Sequence, residues 1–249
     1  MLAVLVALGA RVTRTLSKSG AIAAVVIGTI CVAAGWSWGI LLVAFFVSSS
    51  ALSRLGAQPK AERTGSIAEK GDERDAGQVL ANGGVYAVAA LFYLAWPSPA
   101  WYALGAGALA ASAADTWATE VGTLFGGEPR SIVSGNKVPT GTSGAISLVG
   151  TVASVAGALF IAAGATIATW TVSFAAVAIG GIAGALADSL LGGTLQGRRW
   201  CDLCATGTER VIHTCGNPSR HVGGFARLDN DAVNAVCSGV GALVALFLT

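Results

Sequence analysis

Three carboxylates stand inside otherwise apolar runs of this chain: Asp115 and Glu120 in "SAADTWATEVG" (112–122), and Asp188 in "GALADSLLGG" (184–193). A carboxylate at membrane depth is costly and marks a functional site by default. Hard oxygen ligands of this kind hold Mg2+. A second polar stretch, "EKGDERDAGQVLANGG" (69–84), runs straight into an apolar segment. There Asp75, Gln78 and Asn82 are spaced i, i+3, i+7 and share one face of a helix. Lys70 and Arg74 precede them. Cations for phosphate oxygens, carboxylates for a divalent ion and amides for positioning are the parts of a phosphate and metal site. Lys70, Arg74, Asp75, Asp115, Glu120 and Asp188 are therefore the candidate catalytic residues, with Asp115, Glu120 and Asp188 as Mg2+ ligands. A solvated loop leading into a helix cap accounts equally well for Glu69, Asp72 and Glu73. It does not account for Asn82, a full turn further in, where an unpaired amide would be unfavourable.

Three further stretches add candidates. "NKVPTGTSGAIS" (136–147) places Thr140, Gly141, Thr142, Ser143 and Gly144 just before an apolar run, where free backbone N–H groups can receive an anion. Such clusters also simply end loops. Ser189 and Gln196 follow Asp188, and Asp231 and Asn234 in "RLDNDAVN" (227–234) lie one turn apart. All seven polar side chains, with Gln78, Asn82 and the two glycines, form the expected substrate-binding set. "CDLCATGTERVIHTCG" holds Cys201, Cys204, His213 and Cys215. Three thiolates and an imidazole suit a closed, structural tetrahedral Zn2+ site, and free thiols are the competing reading. Cys31 and Cys237 lie in apolar runs and read as packing residues.

The elements that must carry these groups are membrane helices. The 249 residues are 54% hydrophobic and only 11% charged, against about 25% charged in soluble domains. Apolar runs at about 2–16, 20–35, 38–54, 77–96, 100–122, 144–168, 171–195 and 231–249 predict an all-α polytopic bundle of about seven transmembrane helices, within six to eight. The first run is short and carries Arg11 and Arg14. The chain is expected to form one integral membrane domain over 1–249, with 196–230 as a loop holding the Cys/His knuckle. All 15 Lys and Arg fall in four alternate connections, whereas "GWSWG", "WPSPAW" and "TWT" carry no charge. The positive-inside rule places the four charged connections in the cytoplasm of a multi-pass cell-membrane protein. Trp36, Trp38, Trp96, Trp101 and Trp170 are then expected as interfacial anchors. A net charge of +2 gives no reason to expect nucleic acid.

Both "SAADTWATEVG" and "GALADSLLGG" set Ala-Asp-Thr/Ser after small residues, and "SSSALSR" (48–54) ends another run in the comparable place. The chain thus reads as three repeated hairpins, each bringing a polar tip to one face. Gly180, Gly184, Asp188 and Gly192 recur every four residues, a strip along which helices approach closely.

Together "GQVLANGG", "ADTWATEVG", "GTSGAISLVG", "ADSLLGGTLQ" and "LDNDAVN" resemble, in order from about residue 15 to the end, the motif set of an integral membrane family. That family includes the chloroplast phytyl-phosphate kinase of the vitamin E pathway. The resemblance implies an ATP- or CTP-like donor and a prenyl monophosphate acceptor in the lipid bilayer. It leaves the oligomeric state open. Cytidylyl transfer to a lipid phosphate would use nearly the same parts. An ion-coupled transporter would spread polar groups to the midplane and outer half, where this sequence has few.

Overall fold

The computed structural model describes residues 2–67 and 73–249, so the candidate Lys70 lies outside the described residues. The helices are α1 (Leu2–Val12), α2 (Lys18–Ala34), α3 (Trp36–Arg54), α4 (Ala57–Thr64), α5 (Ala76–Ala95), α6 (Pro99–Phe125), α7 (Leu148–Ile167), α8 (Phe174–Thr194) and α9 (Asn230–Phe247). Most long helices start where a short polar side chain can satisfy a free backbone N–H, whereas α3 follows Gly35 with no side-chain cap. Ser17 caps α2, Ser98 caps α6 ahead of Pro99, and Ser147, Ser173 and Asp229 cap α7, α8 and α9. By length and composition α3, α5, α7, α8 and α9 can each cross a membrane, and α1 and α2 are shorter apolar helices. Leu5, Ile22, Ile40, Leu91, Val152 and Leu243 point outward from these helices. This is the polytopic helical bundle that the apolar runs predict.

Helix α6 forms the centre and packs against α3, α5, α7, α8 and α9. Its residues from Gly105 to Ala114 are all buried. Only small side chains allow such packing. A Cβ on Gly107 would lie 2.3 Å from the Gly241 carbonyl oxygen, one on Gly180 2.6 Å from the same oxygen, and one on Gly184 2.4 Å from the Ala111 Cβ. Helices α6, α8 and α9 therefore meet backbone to backbone. Asp115 follows Gly107 by two turns, and Asp188 follows Gly180 by the same interval, so this seam sets both carboxylates at one level. The correspondence between "SAADTWATEVG" and "GALADSLLGG" is a geometric one. The third tip, at the end of α3, delivers Ser53 rather than a carboxylate.

The uncharged connections meet at the other end. There Trp38, Tyr86, Tyr93, Tyr102 and Trp170 form one aromatic cluster, with ring centroids of Trp38 and Trp170 4.5 Å apart. The Tyr86 hydroxyl donates to the Trp38 carbonyl at 2.8 Å, and the Trp170 ring N–H donates to Ser37 Oγ at 3.0 Å. Two of the expected interfacial anchors are thus core residues: Trp38 is 0% and Trp170 6% exposed, whereas Trp36 and Trp96 do face outward. Trp36 and Trp38 are both in the first turn of α3, where residues two apart point to opposite sides of the helix. Cys31 and Cys237 are buried, as expected of packing residues.

The charged connections fold further than apolar periodicity indicates. Strand β1 (Arg130–Ser131) pairs with β2 (Ala145–Ile146), and β3 (Arg198–Cys201) lies between β4 (Thr206–Thr208) and β5 (Arg220–Gly223), all antiparallel. These connections are tied to one another. The Arg74 N–H donates to the Thr15 carbonyl, Arg54 donates to the Thr13 carbonyl, and Thr208 Oγ1 donates to the Ser66 carbonyl. Ser143 Oγ donates to the Glu209 carboxylate and ties in the third connection, so all four charged connections share one end of the bundle.

Candidate functional site

Two cavities open at that end and meet. The first, about 240 Å3, is walled mainly by apolar side chains of α1, α2 and α3, including Val6, Ile27, Leu42 and Phe46. The second, about 420 Å3, is lined by polar groups from α4, α6, α8, the 140–147 loop and the start of α9. Arg74, Gln78, Asp115, Thr119, Glu120, Asp188 and Asn230 line both. The junction of a greasy lobe and a polar lobe is therefore a patch of carboxylates, amides and one guanidinium.

Asp115 and Asp188 come within hydrogen-bonding reach of each other across the α6–α8 seam. Asp188 Oδ2 is buried and has no protein hydrogen-bond partner among the described residues. Two facing carboxylates with an unsatisfied oxygen call for a proton or a cation between them. Oxygen-only donors of this kind fit Mg2+.

Arg74 is fixed through its backbone. Its N–H donates to the Thr15 carbonyl, and its carbonyl accepts from the Ser17 N–H, both at 3.0 Å. Helix α2 begins so close that a Cβ on Gly20 would lie 2.1 Å from the Arg74 carbonyl oxygen. The guanidinium donates to Ser53 Oγ at 3.2 Å. Burial pulls the Arg74 pKa down from its ordinary value, and the negative charge of Glu120 opposes that. Arginine nevertheless stays protonated in proteins, so the cavity keeps a fixed cation beside the carboxylates.

Glu120 has other partners. Its Oε2 accepts from Lys60 Nζ at 2.5 Å and its Oε1 from Ser53 Oγ at 2.5 Å. Lys60 also donates to the carbonyls of Leu52 and Ser53, both at 2.8 Å, and is buried. This ion pair anchors α4 to α3 and α6. Asp75 is the N-cap of α5: its carboxylate accepts from the Gln78 N–H at 2.9 Å while Gln78 Oε1 accepts from the Asp75 N–H at 3.1 Å. That is a capping box, and Asp75 lines neither cavity. Asn82 Nδ2 donates to the Gln78 carbonyl at 3.0 Å, and its side chain borders the apolar lobe with Asn234.

Thr140, Gly141, Thr142, Ser143, Gly144, Ser189, Gln196 and Asp231 all border the polar lobe. Gly141 and Gly144 have φ of +91° and +74°, which glycine adopts without strain. A Cβ on Gly144 would also lie 2.4 Å from the Gly193 Cα. The loop thus presses on α8. It does not lead directly into a helix N-terminus, because β2 and the Ser147 cap intervene. Below the carboxylates, Ser112 and Ser238 share a buried hydrogen bond of 2.8 Å, and each lies within reach of a carbonyl of α5, Ser112 2.9 Å from that of Asn82 and Ser238 3.2 Å from that of Ala81, so that one hydroxyl donates to the other and the second donates to its carbonyl.

Sequence reasoning missed Lys60, Ser53, Thr119, Asn230 and Glu209. Glu209 reaches the polar lobe from the distant 196–229 connection and accepts from Ser143 Oγ. Thr119 is detectable in retrospect, one turn from Asp115 on the same face. Lys60 carries no such signal, because its neighbours Glu62 and Arg63 are exposed charges of the same segment. Elsewhere in the 196–229 connection, Cys201, Cys204, His213 and Cys215 come together, with all four potential ligand atoms within 4.8 Å of one another. The Cys215 thiol is pulled down to about 6, first by the His213 ring and then by Asn217, and Cys204 is pushed up to about 11, first by its hydrogen bond to Cys215.

No solved structure matches this chain. Among curated proteins it is similar to Protein PGR of Arabidopsis thaliana, 30% identical over 90% of this chain and 85% of that protein. It is 34% identical to the uncharacterized membrane protein MJ0933 of Methanocaldococcus jannaschii, over 74% of this chain and 76% of the relative. It is 27% identical to Protein VTE6, chloroplastic, of Arabidopsis thaliana, over 94% of this chain and 65% of that protein. The family model for "Integral membrane protein DUF92" matches residues 1–242. A helical bundle with several membrane-crossing helices, a match over nearly its whole length and relatives among membrane proteins agree: the chain is a multi-pass membrane protein and belongs to the DUF92 integral membrane family.

Proposed function

We propose that the chain is a membrane kinase that transfers the terminal phosphoryl group of ATP or CTP to a prenyl monophosphate. The observation that carries this reading is the meeting of an apolar and a polar cavity at Arg74, Asp115 and Asp188. An acceptor that is half hydrocarbon and half phosphate needs such a junction. The isoprenoid tail lies in the lobe between α1, α2 and α3, and its phosphate at the carboxylate end. The donor lies in the polar lobe, with its phosphates toward the 140–144 loop. The family resemblance, which takes in a phytyl-phosphate kinase, supports the same substrate class. The aromatic closure of the opposite end, around Trp38, favours an enzyme over a transporter.

The chemistry asks little of the protein beyond positioning and charge. An oxygen of the acceptor phosphate attacks the terminal phosphorus of the donor. The bond from that phosphorus to its bridging oxygen breaks, and the nucleoside diphosphate leaves. The nucleophile is already an anion, so no general base is required. Arg74 neutralises charge growing on the transferring group. Asp115 and Asp188 would hold Mg2+, which supplies charge neutralisation and aligns donor with acceptor. Glu120, engaged by Lys60 and Ser53, acts as a positioning residue in this scheme. Gln78, Asn82 and Asn234 orient the acceptor phosphate at the mouth of the apolar lobe. The charged end faces the cytoplasm by the positive-inside rule, where nucleoside triphosphates are available.

The test uses purified protein in lipid nanodiscs with Mg2+, a panel of prenyl monophosphates, and CTP or ATP labelled at either the α or the γ phosphate. Transfer of the γ label with release of nucleoside diphosphate is the expected result. Incorporation of the α label with release of pyrophosphate would reassign the site to nucleotidyl transfer. No incorporation from either donor would refute both.

A further inference from the structure

We propose that Cys201, Cys204, His213 and Cys215 bind one structural Zn2+, and that this ion staples the 196–229 connection over the polar lobe. The geometry comes first. Cys201 and Cys204 lie at the turn between β3 and β4, where Ala205 takes φ of +48°. His213 and Cys215 lie on a second turn, closed by the Gly216 N–H donating to the His213 carbonyl and the His213 N–H donating to the Asn217 carbonyl, both at 2.9 Å. The two turns face each other. Cys201 Sγ is 3.6 Å from Cys215 Sγ, and Cys215 Sγ is 3.2 Å from His213 Nδ1. Tetrahedral zinc, with Zn–S near 2.3 Å and Zn–N near 2.0 Å, sets its ligand atoms roughly 3.5–3.8 Å apart. A disulfide would need sulfurs about 2.05 Å apart, and three thiols would leave one over.

The local energetics give the same answer independently. This connection forms a three-stranded sheet with almost no apolar core: Leu203, Val211, Ile212, Val222 and Phe225 are all exposed. The groups it does bury are polar or potential ligands: Gln196, Thr208 and Ser219, with Cys201 and His213 at 0% and 5% exposure. A sheet this small does not hold itself together by apolar burial and needs a staple. Four protein ligands close the site, so the ion is structural and leaves no open position for substrate.

Its consequence for the cleft lies at the end of β4. Thr208 Oγ1 donates to the Ser66 carbonyl at 2.9 Å, the Glu209 N–H donates to the Ile67 carbonyl at 2.9 Å, and the Glu209 carboxylate accepts from Ser143 Oγ. The staple thus fixes the strand that carries Glu209 into the polar lobe and braces the 140–144 loop. Zinc binding itself stands apart from the kinase reading and is measured without substrate.

The experiment is elemental analysis of the full chain purified in detergent without chelators, alongside Cys204→Ser, Cys215→Ser and the buried-cysteine control Cys237→Ser. About one zinc per chain is expected in the native protein and in Cys237→Ser, with at least a tenfold loss in the two knuckle variants. Folding failure of the variants is bypassed in the native protein. Growth in Co2+ should give the intense visible bands of a tetrahedral thiolate site, and a mercurial thiol reagent should release one metal per chain. Native protein without zinc, unchanged zinc in Cys204→Ser and Cys215→Ser, or a disulfide found among these three cysteines by peptide mapping would each overturn the proposal.

Discussion

Replacing Gly107 by alanine adds one methyl group to the centre of α6, and the structure says what it meets. The new Cβ would sit 2.3 Å from the Gly241 carbonyl oxygen and 2.5 Å from the Ala245 Cβ, where ordinary contact begins at 3.4 Å. Neither atom is the end of a flexible side chain, so α9 must retreat from α6 by about 1 Å. Overpacking of this kind costs about 1–3 kcal/mol. That exceeds the gain of up to about 1 kcal/mol from alanine's better helix propensity. The functional effect is larger than the thermal one. Asn234 lies two turns from Gly241 on the same helix and borders the site, and a misplacement of about 1 Å can cost about a hundredfold in rate. The matched control is Gly239→Ala on the same helix, where the added Cβ has nothing within 4 Å. It should melt at or slightly above the parent temperature and keep full turnover. The assay pairs thermal melting in detergent with phosphoryl transfer. If Gly107→Ala behaves like Gly239→Ala in both, the α6–α9 seam does not set the site and the argument from close approach fails.

Other outcomes follow from the same geometry. Lys60→Met should destabilise the protein, by no more than about 3 kcal/mol, because it removes the hydrogen-bonded partner of Glu120 and leaves only the nearby Arg74 to offset its charge. Adding Glu120→Gln should recover much of that loss, and a double variant as unstable as the single one would show that the ion pair is not the cause. Thr171→Cys should react with a membrane-impermeant thiol reagent only from outside intact cells and Ser66→Cys only from inside, as read by peptide mass mapping; labelling of both from one side would sink the topology. Removing free Mg2+ with a chelator too weak to strip a thiolate zinc site should abolish transfer reversibly while zinc content stays constant, and transfer that persists would argue against a carboxylate-held divalent ion.

Much of the architecture was legible because its signals are local. Apolar runs name the long helices, and the sorting of cations into alternate connections names the end where the site lies. Asp115 and Asp188 stood out because a carboxylate in an Ala- and Gly-rich helix has no ordinary explanation. The strip Gly180, Gly184 announced close packing, and α8 does meet α6 and α9 there. What escaped depends on tertiary placement. Strands of two to four residues, such as β1 and β4, have no periodicity to detect. Nothing in the sequence sets Ser112 and Ser238 apart from the small residues around them, although they form a buried hydrogen-bonded link between helices. Asp75 looked like a member of the polar cluster, but the geometry that makes a good metal ligand also makes a good helix cap. Lys60 and Glu209 are charges in connections full of charges, and only the folded chain selects them from their neighbours.

The central claim is that Asp115 and Asp188, facing each other where the two cavities join, work together on phosphate. The most direct measurement compares initial rates of γ-phosphoryl transfer to a prenyl monophosphate in Asp115→Asn, Asp188→Asn and the exposed control Glu128→Gln, with nucleotide binding measured at several Mg2+ concentrations. Each Asn variant keeps the side-chain size and removes one charge. Turnover should fall at least about a hundredfold in both, the scale of losing a principal electrostatic contact. Mg2+-dependent nucleotide affinity should fall with it, while the variants insert, purify and melt as the parent does. Glu128, a fully exposed partner of Lys137, should change nothing. Near-parental transfer in both Asn variants would contradict the account.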